Sequence, residues 1–201
     1  QMLWRPDEAT VEKSNMVRFM KTVNDRHNLS LSTYHALWQW SVDNIGAFWD
    51  MFWDFAGIIA SRPYDHVVDD PGKMPGAQWF AGAELNFAEN LLRCRDDRPA
   101  IIFKGEGQAR QSYTYRQLYD EVSRMAQALA DAGVVRGDRV AGFMPNMPQT
   151  MIAMLAAVSL GAIWSSSSPD FGIKGVLDRF GQIEPKVLIT ADGYFYNGKS
   201  F

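Results

Sequence analysis

An eight-residue segment near the end of the chain has the spacing of a phosphate-binding loop. Residues Gly193–Ser200 read GYFYNGKS, which matches the P-loop pattern G-x-x-x-x-G-K-[ST] at every fixed position. The apolar run Val187–Thr190 precedes it and reads as a strand, which is the context that the motif requires. In a P-loop the backbone N–H groups surround the phosphates and the lysine contacts them. The pattern therefore predicts ATP or GTP hydrolysis, with Lys199 on the β- and γ-phosphates.

Two features of the same segment argue against nucleotide hydrolysis. The variable positions include the bulky Tyr194–Tyr196, whereas a loop that wraps phosphate needs small residues so that its backbone can approach. The helix whose N-terminus should hold the phosphate would begin only at Lys199, close to Phe201. An aromatic loop after a strand is the alternative interpretation, and we expect a different phosphate to be the ligand here.

Composition excludes several functional classes. The chain has 201 residues, of which 47% are hydrophobic and 21% charged, the balance of a packed globular protein. A net charge of −3 argues against nucleic acid as a partner. The longest apolar stretch, Met151–Trp164, is too short to span a bilayer, so we expect no membrane partner. Cys94 is the single cysteine, which fits a reducing compartment and a cytoplasmic location.

The first half of the sequence reads as helical and aromatic. Apolar residues at helical spacing predict a helix over Glu8–His27, and Ser32–Tyr34 predicts the cap of a second. A third helix over Asn44–Ile59 places aromatic rings on one stripe. Such rings could form a ligand cage or a carbohydrate platform, but at helical spacing we interpret them as packing groups.

The second half alternates strands and helices. Ala100–Lys104 and Gln111–Tyr115 predict a hairpin that turns at Gly105–Gly107. Thr114 and Gln117 form a capping box that predicts the start of a helix. The remaining predicted elements alternate along the chain: a strand over Arg139–Met144, a buried helix from Pro148, a strand over Ile163–Ser166, a helix around Ile173–Phe180 and a strand over Val187–Thr190. This alternation predicts a mostly parallel sheet with flanking helices.

The parallel sheet predicts where a ligand would bind. Ligands of such sheets lie beyond the carboxyl ends of the strands. Three loops leave those ends: Pro145–Pro148, Ser165–Phe171 and Asp192–Ser200. The second offers serine hydroxyls and the third offers Lys199, groups that suit a ligand with phosphates.

Several segments together resemble the adenylate-forming acyl-CoA synthetase superfamily. Trp79–Asn90 (WFAGAELNFAEN) resembles a segment near the start of acetyl-CoA synthetase-like enzymes. Ser112–Leu118 resembles the first core motif of the superfamily, and Leu160–Phe171, with its SSSSPDF run, resembles the second. Within the superfamily, that run, the tract Trp38–Phe55 and the segment Tyr196–Lys199 most resemble the acetoacetyl-CoA synthetases.

The resemblance implies a fold and a two-step ligase reaction. The fold would be α/β, with a helical N-terminal cap region over residues 1–95. Residues 96–201 would be the first part of an incomplete adenylate-forming domain. In the first step a carboxylate, here acetoacetate, attacks the α-phosphate of ATP with Mg²⁺ present, giving an acyl-adenylate and pyrophosphate. In the second step the thiol of coenzyme A attacks the acyl carbon.

The resemblance also assigns site residues, all on the coenzyme A side. In acetyl-CoA synthetases the loop aligned with Tyr196–Lys199 carries arginines that contact a coenzyme A phosphate, near the loop aligned with Ser168–Phe171. The implied cofactor-binding residues are therefore Lys199, Tyr196, Gly198, Asp170 and Phe171. Tyr196 and Lys199 replace two arginines, and Asp170 stands where the family usually has glycine.

The phosphate loop, the adenine and ribose motifs and the C-terminal domain with its lysine are missing from these 201 residues. We expect this chain alone to have no catalytic or metal-binding residues, to need no cofactor and to be inactive. We also expect an exposed apolar surface that favours self-association. Two alternatives stay open at this point: a P-loop NTPase domain and a non-catalytic interaction module.

Overall fold

The computed structural model describes residues 3–106 and 110–201, and it forms two compact units that change over between Leu85 and Asn86. The division into domains over residues 1–95 and 96–201 stays a prediction. Gly107, part of the predicted hairpin turn, lies outside the described residues.

The first unit is mainly helical. It contains four helices and one small hairpin: α1 (Glu8–Glu12), α2 (Asn15–His27), α3 (Tyr34–Asp43), α4 (Ile45–Ala56), β1 (His66–Val68) and β2 (Trp79–Ala81). The prediction of a single helix over Glu8–His27 is wrong, because the first helix ends at Glu12 and a second begins at Asn15. Ser14 has extended backbone, and its hydroxyl accepts a hydrogen bond from the Val17 N–H, which starts α2 as a new helix.

Aromatic side chains pack the core of this unit. The ring of Phe19 makes edge-to-face contacts with Phe48 and Phe55 of α4, at centroid distances of 5.7 and 5.0 Å. The interpretation of the aromatic stripe of α4 as core packing is therefore confirmed. The sequence pattern also placed Ile59 on that stripe. This is wrong, because α4 ends at Ala56 and the following Gly57 has left-handed backbone.

The second unit combines an antiparallel hairpin, a parallel sheet and helices. Its elements follow the predicted alternation: α5 (Phe87–Leu91), β3 (Pro99–Lys104), β4 (Arg110–Thr114), α6 (Tyr115–Asp131), β5 (Arg139–Phe143), α7 (Pro148–Ser159), β6 (Ile163–Ser167), α8 (Ile173–Ile183), β7 (Val187–Thr190), β8 (Phe195–Tyr196) and β9 (Lys199–Ser200). Both hydrogen bonds of the predicted capping box between Thr114 and Gln117 are present at the start of α6.

The parallel sheet has the order β6-β5-β7, so the first strand in sequence lies in the middle. Ala141 of β5 pairs with Ser165 on one side and Leu188 on the other. Val140 is fully buried, as is Ala156 of the apolar helix α7. The predicted α/β arrangement, a mostly parallel sheet with flanking helices, is confirmed. This arrangement brings the carboxyl ends of three strands to one edge.

Candidate functional site

A cavity of about 530 Å³ lies at the carboxyl edge of the parallel sheet. Each of the three loops that the sequence placed at this edge contributes to its wall: Pro145–Met147 after β5, Ser168–Asp170 after β6 and Gly193–Tyr196 after β7. A fourth wall comes from the β3–β4 hairpin, through Phe103–Glu106 and residues 110–111. Sequence reasoning missed this wall, because no local pattern says that an antiparallel hairpin ends at the same edge.

The P-loop-like segment folds as a β-hairpin. Strands β8 and β9 pair antiparallel, with Tyr196 opposite Lys199. The two turn residues, Asn197 and Gly198, have φ values of 50° and 73°. Positive φ at both central positions is the mark of a type I′ turn, for which Asn-Gly is a favoured pair. A P-loop instead continues into a helix at its lysine, so the prediction of a P-loop is wrong.

The backbone donors of this turn already have an acceptor. Asn197 N–H donates to Oε1 of Glu106, and Gly198 N–H donates to Oε2, each over 2.9 Å. These two bonds, first from Gly198 and then from Asn197, lower the pKa of the Glu106 carboxyl below its usual value. These two backbone donors are therefore already occupied by a carboxylate.

The structure distributes the five predicted site residues over this edge. Asp170 and Tyr196 line the 530 Å³ cavity. Phe171 lines an adjoining apolar pocket of about 330 Å³, which shares Pro169 with the first. Gly198 forms the hairpin turn, and Lys199 follows it in β9 with its side chain exposed. Neither of these last two residues is among the described residues that line the cavity.

Asp170 and Phe171 are held by local contacts. The Ser168 hydroxyl donates to Oδ2 of Asp170 over 2.9 Å, which fixes the carboxylate at the start of the loop. The guanidinium of Arg179 lies over the ring of Phe171, 3.9 Å from its centroid. Both residues are therefore oriented by neighbours two to eight positions along the chain, in keeping with a preformed loop.

Charges of both signs surround the cavity. Lys104 and Arg110 contribute positive charge, whereas Glu106 and Asp170 contribute negative charge. Lys199 makes no ion pair within the residues that the structure describes. Its ammonium group can therefore bind an anion, while the Glu106 carboxylate is committed to the turn.

The described residues contain neither a cluster of metal ligands nor a membrane-spanning helix. Across residues 3–106 and 110–201, no three His, Cys, Asp or Glu side chains come close enough together to hold a metal ion. No helix in this same part of the chain has the length and apolar character needed to cross a membrane.

Comparison with known proteins identifies the family. The family described as AMP-binding enzyme matches residues 87–199, more than half of the chain. The chain belongs to the AMP-binding enzyme family. That match contains the whole parallel sheet and the hairpin as far as Lys199. A second description, acetyl-coenzyme A synthetase N-terminus, matches residues 34–91, which include the recognised segment Trp79–Asn90.

Individual AMP-binding enzymes are similar over nearly the whole chain. An acetoacetyl-coenzyme A synthetase of Rhizobium meliloti is 49% identical over 98% of the chain, and one of Macaca fascicularis is 46% identical over 99%. The solved structure of an acetoacetyl-CoA synthetase from Streptomyces lividans covers 100% of the chain at a TM-score of 0.88 and 42% identity. The chain spans about 30% of the length of these relatives.

The resemblance read from the sequence motifs is thereby confirmed at the level of family. The solved structure from Streptomyces lividans shares the overall fold of this chain along its whole length. The role of each residue at the carboxyl edge remains a prediction.

Proposed function

We propose that this chain is the N-terminal part of an acetoacetate–CoA ligase. The observation that carries the proposal is the high identity to proteins named acetoacetyl-CoA synthetase along almost the entire chain. In the proposed reaction, a carboxylate oxygen of acetoacetate attacks the α-phosphate of ATP and pyrophosphate leaves. The thiol of coenzyme A then loses its proton as its sulfur attacks the acyl carbon. The bond between that carbon and the phosphate oxygen breaks, and AMP leaves with the electrons of that bond.

The role that we propose for this chain is on the coenzyme A side. Lys199 carries an exposed positive charge beside the cavity, and a phosphate of coenzyme A is a ligand that such a charge attracts. Tyr196 lines the cavity and can donate its hydroxyl or stack on the adenine. We assign Gly198, Asp170 and Phe171 to the same side, as residues that shape the turn and the facing loop.

We assign the binding of ATP and Mg²⁺ to residues outside these 201. Mg²⁺ in proteins is usually bound together with substrate phosphates, so we propose that it binds here with the phosphates of ATP. We further propose a cytoplasmic location, which the single cysteine and the soluble substrates support.

Two purified proteins test the ligase proposal: the complete polypeptide that contains this chain, and the 201-residue chain alone. We expect the complete polypeptide to catalyse acetoacetate-dependent exchange between ATP and pyrophosphate, and to form a thioester when coenzyme A is added. The 201-residue chain should catalyse neither. Exchange by the chain alone would overturn the assignment of ATP to other residues. A complete polypeptide with no carboxylate-dependent exchange would overturn the function itself.

We also propose that the isolated chain self-associates. Apolar side chains of its second unit are unusually exposed, at 82% for Ile173 and 65% for Leu177 in α8 and 51% for Leu188 in β7. Burial of such a surface between copies would remove it from water. Sedimentation of the 201-residue chain should show dimers or larger species, whereas a monomer that binds no hydrophobic dye would contradict the proposal.

A further inference from the structure

We infer that Glu106 is a positioning residue for the coenzyme A step, because its carboxylate fixes the β8–β9 hairpin at the edge of the cavity. The inference rests on the proposed function, and it assigns a residue that neither the sequence motifs nor the family resemblance singled out. Glu106 belongs to the β3–β4 hairpin, whereas the residues proposed to meet coenzyme A belong to β8 and β9.

The β8–β9 hairpin has little to hold it by itself. Each of its strands is two residues long, and among the described residues its ladder is extended by the mutual hydrogen bonds of Tyr194 and Phe201. Side chains in both strands are exposed, with Phe195 at 63% and Tyr196 at 54%. A two-stranded hairpin that buries so little apolar surface is marginally stable in water. Its position must therefore come from contacts with other parts of the chain.

Glu106 supplies the hydrogen bonds that hold the hairpin. Within the part of the chain that the structure describes, the bonds from the hairpin to any other element are those of Asn197 and Gly198 to this carboxylate. Both carboxylate oxygens are used, one for each N–H, and both distances are 2.9 Å. Hydrogen bonds to an ionised acceptor are the stronger kind. The pair fixes both the place and the orientation of the turn.

The Asn197–Gly198 turn determines the positions of the two residues proposed to bind coenzyme A. Tyr196 comes directly before the Asn197–Gly198 turn and Lys199 directly after it, and the two face each other across the ladder. A rotation of the turn therefore moves both side chains together. Since they are exposed and no described ion pair holds Lys199, the turn is the element that determines where they meet a phosphate-bearing substrate.

Amide hydrogen exchange tests the hydrogen bonds directly, without any assay of activity. In the complete polypeptide, we expect Glu106→Ala to increase the exchange rates of the Asn197 and Gly198 amides at least tenfold. Glu106→Gln keeps one acceptor oxygen and should give an intermediate rate. Glu184→Gln is a matched control, because Glu184 is also exposed and its carboxylate makes no ion pair or hydrogen bond within the described residues. Unchanged rates at both amides in Glu106→Ala would overturn the inference.

Steady-state kinetics of the complete polypeptide test the consequence for coenzyme A. We expect Glu106→Ala to raise the KM for coenzyme A about three- to tenfold, with a much smaller effect on acetoacetate-dependent exchange of ATP and pyrophosphate. If Glu106 acts through Lys199, the double variant with Lys199→Ala should be no worse than Lys199→Ala alone. If the double variant raises the KM for coenzyme A by the full product of the two single effects, Glu106 does not act through Lys199.

The two readouts separate this inference from the proposed function. A wild-type polypeptide that forms no thioester would overturn the proposed function and the kinetic role of Glu106, while the amide exchange rates would still decide whether the carboxylate holds the hairpin. Thioester synthesis with an unchanged KM for coenzyme A in Glu106→Ala would overturn the inference and leave the function in place.

Discussion

Gly142 in the central strand of the parallel sheet lies directly against an aromatic ring. A Cβ atom added at this position would lie 2.6 Å from both Cη2 and Cζ2 of Trp164, on the neighbouring strand β6. Real Cβ atoms do not approach other atoms so closely. The strand cannot move away, because Gly142 is paired on both sides, with Ser166 and with Ile189. In Gly142→Ala the indole must therefore shift.

The cost of this shift follows from the packing of Trp164. Its side chain packs against the buried core of the second unit, and overpacking of such a core typically costs about 1–3 kcal/mol. Alanine has less backbone conformational freedom than glycine in the unfolded chain, which offsets about 0.4–1 kcal/mol of this cost. We therefore expect Gly142→Ala to lower the free energy of unfolding by up to about 2.6 kcal/mol, with a central value of about 1.3 kcal/mol. With a urea dependence of about 2 kcal/mol/M, the midpoint should fall by up to about 1.3 M, with a central value of about 0.65 M.

Urea unfolding followed by far-ultraviolet circular dichroism measures the shift. Gly181→Ala in α8 is the matched control, because a Cβ there would have no atom within 4 Å. Because Gly181 lies within a helix, Gly181→Ala should raise the free energy of unfolding by up to about 1 kcal/mol. Opposite signs for the two variants would support the reasoning.

A double-mutant cycle identifies the clash as the cause. In a Trp164→Leu background the two ring atoms are gone, so Gly142→Ala should cost at least about 1 kcal/mol less than in the wild type. Two results would show that a clash with Trp164 is not the cause. One is a Gly142→Ala variant that is no less stable than Gly181→Ala, and the other is an equal loss of stability in the wild-type and Trp164→Leu backgrounds.

Three further predictions concern the core, an ion pair and the candidate site. Leu155→Ala, at a side chain only 2% exposed, should lower the free energy of unfolding by about 2–5 kcal/mol in urea titrations. Hydrogen bonds from Lys186 and from the Val135 N–H lower the pKa of the Asp138 carboxyl. The stabilisation by this carboxylate is therefore present above the ordinary aspartate pKa of 3.8, and it is lost as the pH falls through the lower pKa of the folded state. The gap in urea midpoint between wild type and Asp138→Asn should accordingly be constant near neutral pH and close in strong acid. Lys199→Ala in the complete polypeptide should raise the KM for coenzyme A about tenfold or less, and a large loss of adenylation with unchanged coenzyme A dependence would contradict its assignment.

Sequence patterns predicted the second unit well, because its signals are local. Apolar runs marked the strands of the parallel sheet, and the Thr114 capping box marked the start of α6 within one residue. Once the strands were known to be parallel, their carboxyl ends had to share an edge. The three loops around the cavity followed from that rule alone.

Two features escaped prediction because a competing pattern was equally local. Ser14 fits the helical spacing of its neighbours, so the periodicity gave no sign that its hydroxyl starts a new helix. The letters of Gly193–Ser200 fit a P-loop, yet the Asn197–Gly198 pair inside them is itself a strong hairpin signal. In the second case the turn residues were the better guide, since they act through the backbone conformation that they permit.

The link between Glu106 and the hairpin could not have been predicted from local patterns. It joins residues whose positions differ by 91 and 92, and nothing near either end indicates the partner. Contacts of this kind depend on where two separate hairpins end in three dimensions, which periodicity and turn chemistry do not determine.

The strand order β6-β5-β7 also has a consequence for folding during synthesis on the ribosome. The middle strand is made first, and Val187, the β7 partner of Val140, follows about 47 residues later. At about 5–20 residues per second, β5 waits some 2–9 seconds for its second neighbour, far longer than a helix needs to form. The first unit contains its own core before Leu85 and can fold earlier. During that interval the nascent chain exposes an unpaired edge of β5 and the apolar helix α7, which are the kinds of surface that chaperones bind.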